Sequence, residues 1–220
     1  KRIARYNLQP LLKIEDKYNW GPFSTERTSQ LWADIFRRHK LPCDLDAPNL
    51  ISVLNRGHDE FTGHLQQRIV EILLRYTPYV EPEVFPHSIH LSDKDIGDID
   101  VLALSTDKKI LFNIESKVID EFYCNKDMKR ASEKIFGRVT SDGSFRPGYL
   151  HAVEGRRDFL LEKGKELANH YWSDLPNDLK VISLFVTAKP LWWTMFPLVE
   201  TDVVFLEIRL LDDFIKKELA

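Results

Sequence analysis

The sequence predicts an α/β fold in which helices alternate with the strands of a central sheet. An amphipathic helix is expected at 59–78, because apolar residues recur there every three or four positions. These residues are Leu65, Ile69, Ile72, Leu73 and Tyr76. Two apolar runs at 99–104 and 110–118 flank a polar connection, which is typical of a β-hairpin. Continuous apolar runs at 181–186 and 203–208 predict two buried strands.

An N-terminal helical region is expected to precede this α/β core. Residues 6–18 predict a helix or an extended arm, and 24–40 predict a helix that ends in basic residues. The helical pattern weakens between 43 and 57, where proline and glycine interrupt it. We therefore place an N-terminal helical region at 1–57 and the main domain at 58–220.

The remaining elements follow from proline placement and periodicity. Prolines at positions 78, 82 and 86 exclude a helix in that part of the chain and favour extended structure. The other predicted elements are an edge strand at 79–85, an extended segment at 88–91, a helix at 126–136, a loop at 140–148, and helices at 150–171 and 211–219.

Composition is that of an ordinary globular protein, with 43% hydrophobic and 30% charged residues. No apolar run approaches the roughly 20 residues of a membrane helix, and no signal peptide opens the chain, so we expect a cytoplasmic protein without a membrane partner. Cys43 and Cys124 have neither metal-site spacing nor the number needed for a disulfide framework, so we expect reduced thiols. Because the chain begins at Lys1, we expect it to be a piece of a longer protein.

Charge and motifs exclude several classes of function. The net charge of −3 argues against a protein that coats nucleic acid by charge alone. The sequence contains no glycine-rich phosphate loop, no G-x-S-x-G elbow and no H-E-x-x-H zinc motif. It therefore does not support an NTPase, a serine hydrolase or a zinc protease.

The predicted hairpin carries a cluster of charged residues. On a strand, residues i and i+2 share a face, so Asp98 and Asp100 lie together, as do Glu115 and Lys117. Pairing of the two strands is expected to bring Asp100 beside Glu115. Three carboxylates and one ammonium group are thus predicted to converge.

The acidic-x-lysine tripeptide alone carries little information, because it occurs five times in this chain. The occurrence at 115–117 differs from the others in lying within an apolar strand that follows a strand with acidic residues. An ordinary solvent-facing ion pair is the alternative, and it would contribute less than about 1 kcal/mol. The flanking residues Ile110, Phe112 and Ile114 favour an interior strand, where a charged cluster is costly without a ligand.

Carboxylate oxygens suit Mg²⁺, which commonly takes one or two protein carboxylates and a substrate phosphate, and we expect Mn²⁺ to substitute for it. Asp100 and Glu115 are the predicted metal ligands. Such an ion polarises a phosphodiester and lowers the pKa of a bound water. Lys117 is predicted to orient that water or to stabilise charge that develops on the phosphate.

The two strands, 97–104 and 110–117, resemble the active-site hairpin of the PD-(D/E)XK nuclease superfamily, in the branch of Holliday-junction-resolvase-like and nuclease-related (NERD-type) domains. The resemblance covers about 59–136 and implies a restriction-endonuclease-like mixed central sheet flanked by helices. It also implies that Asp100 and Glu115 bind Mg²⁺, that Lys117 assists catalysis, and that the substrate is nucleic acid, with DNA expected before RNA. The chain departs from the family motif at Ile99, which replaces the proline.

Members of this family often carry a glutamate on the first core helix. Glu60, Gln66, Gln67 or Glu71 could occupy the matching turn, and Glu71, the acid well inside the helix, is the candidate third ligand, with Asp98 as a further candidate. A surface acid is the alternative for Glu71. The candidate nucleic-acid contacts are basic residues after the hairpin, for which an exposed helix face is the favoured alternative: Lys126, Lys129, Arg130, Lys134, Arg138, Arg156 and Arg157.

Aromatic pairs form another candidate for contact with bases. Tyr171-Trp172 and Trp192-Trp193 would stack on unpaired bases or pack in the core, and core packing is the favoured interpretation.

Two other functions remain open from the sequence. One is a nuclease-like module that has lost activity and recognises nucleic acid or protein within a larger defence or repair protein. The other is an interaction domain with a charged edge hairpin, whose acids would lie apart. The sequence also leaves open a homodimer or association with further domains.

Overall fold

A computed structural model of the chain describes residues 12–14, 16–19, 26, 29–30, 33, 48–88, 90–91, 96–119, 125–173, 175–191 and 199–220. The chain forms two compact units, Lys1–Phe61 with Asp120–Tyr123, and Thr62–Ile119 with Cys124–Ala220. The predictions for the two cysteines and for Trp192-Trp193 lie outside the described residues. Within those residues, no helix has the length and apolar character needed to cross a membrane.

The first unit contains an antiparallel pair of short strands, β1 (Leu12–Ile14) and β2 (Lys17–Asn19). The alternative of an extended arm therefore describes this stretch better than a helix does. Helix α1 (Pro48–Leu73) begins in this unit, ten residues before the predicted domain boundary, and continues into the second unit. Pro48 is compatible with this start, since proline is tolerated in the first turn of a helix.

The second unit is built on a five-stranded sheet in the order β3-β4-β5-β8-β9. Strands β3 (Tyr79–Val84), β4 (Ile99–Ser105) and β5 (Ile110–Lys117) are antiparallel neighbours, whereas β8 (Lys180–Thr187) and β9 (Val204–Glu207) run parallel to β5. The sheet is therefore mixed, as expected, and β3 is an edge strand. Strands β4 and β5 are interior, so the alternative of a charged edge hairpin is wrong.

Helices cover both faces of the sheet. On one face α1 and α4 (Ile208–Leu219) pack through residues such as Ile69 and Leu211 against Phe112 and Ile114. On the other face α3 (Tyr149–Tyr171) packs through Leu160 against Leu111. Successive side chains at the start of β5 thus enter two different apolar cores, which explains the apolar run at 110–112.

Three local predictions differ from the structure. Residues 88, 90 and 91 lie in turns rather than in an extended segment. The predicted loop at 140–148 contains β7 (Phe145–Arg146), which pairs with β6 (Arg138–Val139) after helix α2 (Asn125–Phe136). The chain enters α4 at Ile208, which was expected to be the last residue of a strand.

The β6–β7 hairpin closes through local hydrogen bonds and a glycine. The Thr140 amide donates to the Ser144 carbonyl at 2.8 Å, and Gly143 takes a φ of 82° that residues with a β-carbon rarely adopt. The short strands could not be predicted by alternation, because each contains only two residues.

Candidate active site

The pairing of β4 with β5 brings the predicted acidic residues together. Val101 lies opposite Ile114 in the antiparallel ladder, and Asp100 and Glu115 are the neighbouring residues, directly before Val101 and directly after Ile114. Glu115 lies on the α3 side of the sheet, where it contacts Arg156. Both carboxylates contact the Lys117 ammonium, so the predicted convergence of Asp100 and Glu115 is confirmed.

Lys117 joins the two carboxylates. Its Nζ lies 2.6 Å from Glu115 Oε1 and 3.3 Å from Asp100 Oδ2. The side chain keeps 26% of its surface exposed, against 14% for Asp100 and 6% for Glu115. The ammonium group is thus the most accessible member of the cluster.

Asp100 is held in place by its neighbours. Its Oδ2 accepts hydrogen bonds from the Ser116 amide at 2.7 Å and from Ser116 Oγ at 3.0 Å. Its backbone carbonyl accepts a hydrogen bond of 2.6 Å from Gln66 Nε2 on α1. These bonds fix the strand end and one carboxylate oxygen, so that the side chain has little rotational freedom.

Glu115 has a second cationic partner, Arg156 of α3. The Arg156 Nη2 donates a charge-assisted hydrogen bond to Glu115 Oε2, and both side chains are buried. Arg156 Nε is buried without a hydrogen-bond partner among the described residues. Each oxygen of Glu115 thus faces a different cation, Lys117 or Arg156.

Arg156 was expected among the phosphate contacts, and its burial corrects that expectation. The signal was present in the sequence, because Arg156 falls at helical spacing with the buried α3 residues Val153, Leu160 and Leu167. A charged residue on the apolar face of a helix requires a buried partner. Arg157, the next residue, is partly exposed and pairs with Asp202 at 2.7 Å.

Burial and charge set the proton affinities in this cluster. Burial, the strongest influence, raises the pKa of Glu115 above its ordinary value of 4.5, and Asp100 adds to this effect while Arg156 and Lys117 oppose it. Burial on its own would lower the pKa of Lys117, but the negative charges of Glu115 and Asp100 outweigh it and raise that pKa above 10.5. Lys117 therefore carries its proton at neutral pH.

The predicted helix ligand Glu71 lies elsewhere. It is half-exposed and pairs with Arg68 at 3.1 Å on the outer face of α1. The residue of α1 that reaches the strand end is Gln66, because it shares the buried stripe of the helix with Ile69 and Leu73. Sequence periodicity alone would have favoured Gln66 over Glu71.

Asp98 lies outside β4 and is exposed. Alternation along a strand places residues 98 and 100 on one face only if both belong to the strand, and β4 begins at Ile99. Among the described residues, no group of three His, Cys, Asp or Glu side chains is close enough to hold a metal ion. Two carboxylates, rather than three, thus form the acidic cluster.

The pair Asp100 and Glu115 fits a hard divalent cation such as Mg²⁺. Both supply carboxylate oxygens, and the Lys117 ammonium lies within hydrogen-bonding reach of both, so a single cationic centre already bridges them. Mg²⁺ needs only one or two protein carboxylates when a substrate phosphate completes its coordination. The donor chemistry therefore suits this ion without a third protein ligand.

Basic residues of α2 and of β6 lie beside this cluster in the second unit. Arg130, Lys134 and Arg138 are exposed and line a cavity that also includes Tyr149 of α3. The ring centroid of Tyr149 is 5.5 Å from Lys117 Nζ. Lys129 is exposed and does not line this cavity, and it lies 3.8 Å from Glu133.

Tyr171 and Trp172 pack against the core on the α3 face. The Trp172 ring makes an edge contact of 6.0 Å with Tyr79, which supports core packing over base stacking for this pair.

Comparisons of the chain with protein-family models, with curated proteins and with solved structures give no significant match.

Proposed function

We propose that this chain is a divalent-metal-dependent nuclease of the restriction-endonuclease-like fold, which hydrolyses phosphodiesters, with DNA as the expected substrate. The proposal rests on one observation: the Lys117 ammonium lies within 3.3 Å of Asp100 and 2.6 Å of Glu115 on an interior hairpin. The mixed sheet with helices on both faces is compatible with this fold.

In this proposal Asp100 and Glu115 would hold Mg²⁺, which when bound supplies Lewis-acid polarisation of the phosphate and a water of lowered pKa. Ser116 keeps Asp100 oriented through its amide and hydroxyl groups. Arg156 keeps Glu115 oriented from the helix side. The rigid support of both carboxylates is what a metal ligand pair requires.

Lys117 has a separate role in the proposed mechanism. Because Lys117 is protonated at neutral pH, it cannot serve as a general base. Its positive charge instead stabilises the negative charge of the phosphate. Its long side chain and partial exposure allow the ammonium to turn from the carboxylates towards a substrate phosphate. Stabilisation of negative charge in the transition state is therefore its proposed contribution.

Substitution of Asp100 tests the proposal. The wild-type chain is expected to cleave labelled oligonucleotides in Mg²⁺ or Mn²⁺ and to stop when EDTA is added. Asp100→Asn is expected to lose at least about 100-fold in rate, the size of effect seen when one stabilising group is removed from an active site. Gel analysis of the products under single-turnover conditions measures this loss.

The matched control is Glu166→Gln, an exposed acid on α3 that pairs with Lys163 at 3.2 Å. Its cleavage rate is expected to equal that of the wild type. Retention of wild-type cleavage by Asp100→Asn, with circular dichroism confirming that both variants fold, would rule out the proposed nuclease.

A nuclease-like binding module without activity is the second candidate. Two observations favour it: the helix residue at the site is the neutral Gln66 rather than an acid, and Arg156 and Lys117 already balance the charges of Glu115 and Asp100. Binding of oligonucleotides without cleavage in either metal would favour this candidate.

A further inference from the structure

A large basic cavity lies next to the acidic cluster. Its volume is about 950 Å³, and α2, the β6–β7 hairpin and the first turn of α3 contribute its walls. Tyr149 belongs both to this wall and to the surroundings of Lys117, with its ring 5.5 Å from the ammonium. A ligand in the cavity would therefore lie beside the proposed catalytic centre.

The wall of the cavity is strongly positive although the whole chain has a net charge of −3. Four cationic side chains line it, Arg130, Lys134, Arg138 and Arg146, against one acid, Glu133. Glu133 lies 3.5 Å from Arg138, whereas the other three have no carboxylate partner among the described residues. A concave surface that concentrates one sign of charge attracts a ligand of the opposite charge.

The backbone adds to this positive character. Gly148 precedes the first residue of α3 and provides no side-chain cap, so the first amides of a 23-residue helix lie at the cavity wall without a side-chain acceptor from that position. A β-carbon on Gly148 would come within 2.5 Å of Gly137 N and Ile135 O, so this crossing requires glycine. The tight crossing holds the hairpin against the start of α3.

Exposed aromatic rings accompany the cations. Tyr149 and Phe145 are both exposed, and the Phe145 ring lies 5.0 Å from the ring of His151, which lines the cavity. Each ring keeps part of its surface exposed, 39% for Tyr149 and 52% for Phe145, and can offer it to other planar groups. Sites that bind single-stranded nucleic acid combine cations along the phosphate backbone with aromatic rings on which successive bases stack.

We propose that this cavity binds an unpaired, single-stranded segment of nucleic acid, with its phosphates on Arg130, Lys134 and Arg146 and its bases against Tyr149 of the wall and against Phe145, which lies next to His151 of the wall. The inference rests on the proposed function, since it names the form of substrate that reaches Lys117. A duplex stacks its bases internally, and its base faces are therefore not available to these rings.

Binding without metal tests the inference separately from cleavage. Fluorescence anisotropy in EDTA measures the Kd of a labelled strand of about 16 nucleotides and of the matching duplex. The single strand is expected to bind at least about tenfold more tightly than the duplex. Arg130→Ala with Lys134→Ala is expected to raise the single-strand Kd about tenfold or more and to reduce the slope of log Kd against log salt by about 1.4, for two phosphate contacts.

The matched control removes the same charge on the opposite face of the sheet. Lys216→Ala with Lys217→Ala changes two exposed lysines in the last turn of α4 and is expected to leave the Kd unchanged. A third pair of variants tests stacking: Tyr149→Ala is expected to weaken binding about tenfold, and Tyr149→Phe to retain it.

Equal affinity for strand and duplex, or wild-type affinity and salt slope in the double variant of α2, would overturn the inference. Single-strand binding through these residues with no cleavage in Mg²⁺ would refute the nuclease and leave the inference standing. If Arg130→Ala with Lys134→Ala cleaved duplex DNA at the wild-type rate, the nuclease would be supported and the inference about single strands would be refuted.

Discussion

Arg156→Ala is expected to lower the free energy of unfolding by about 3–5 kcal/mol, the typical result of removing one partner from a buried ion pair. Arg156 and Glu115 are 4% and 6% exposed, and the substitution leaves the carboxylate buried with only Lys117 as a cation. The cavity left by the guanidinium adds to the loss. Urea unfolding followed by circular dichroism measures it.

Proton binding by Glu115 gives this loss a predictable pH dependence. The pKa of Glu115 is raised in the folded chain, mainly by burial. Ionisation of this carboxyl group therefore lowers the free energy of unfolding as pH rises from its ordinary pKa through its raised pKa. Without Arg156 the cost increases. The loss in Arg156→Ala is therefore expected to be larger near pH 8 than near pH 5.

Arg157→Ala is the matched control on the same helix. Arg157 is partly exposed and its partner Asp202 is exposed, so the loss is expected to stay below about 1 kcal/mol. If Arg156→Ala were no more destabilising than Arg157→Ala, the buried pair would not stabilise Glu115 in the way described.

Lys117→Met is expected to reduce cleavage at least about 100- to 1,000-fold while the chain stays folded. Methionine preserves most of the apolar side chain but removes the charge that is proposed to stabilise the phosphate. Lys117→Arg keeps the charge with different geometry and should recover part of the rate. Single-turnover cleavage in Mg²⁺, with protein in excess, measures the chemical step.

Lys163→Met is the control for this substitution, because Lys163 lies on α3 and pairs with Glu166. It should cleave at the wild-type rate. A Lys117→Met variant with unchanged cleavage would show that the ammonium is only a counter-ion for Asp100 and Glu115.

Much of the sheet could be predicted because its strands have simple patterns. Strand β5 is buried along nearly its whole length and begins with the apolar run 110–112, because both of its faces are covered, and β8 follows the same rule. The meeting of Asp100 and Glu115 followed from alternation and hairpin pairing alone. These features depend on local periodicity, which can be read from a single sequence.

The surroundings of the site depended on tertiary contacts and were not predicted. Arg156 is 41 residues from Glu115 in the chain, and Gln66 is 34 residues from Asp100. The helical spacing of Arg156 and Gln66 indicates that both side chains face the core, but it does not indicate which strand each of them contacts. Asp98 was misplaced because β4 begins only at Ile99, and Glu71 because its position on α1 was not compared with the apolar stripe of that helix.

Calorimetric titration with Mn²⁺ tests the central claim most directly, that Asp100 and Glu115 form a divalent-metal site. The wild type and Lys117→Met are expected to bind one ion, and Asp100→Asn and Glu115→Gln to lose that binding. Absence of binding by the wild type in the presence of an oligonucleotide, or equal binding by Asp100→Asn, would contradict the claim.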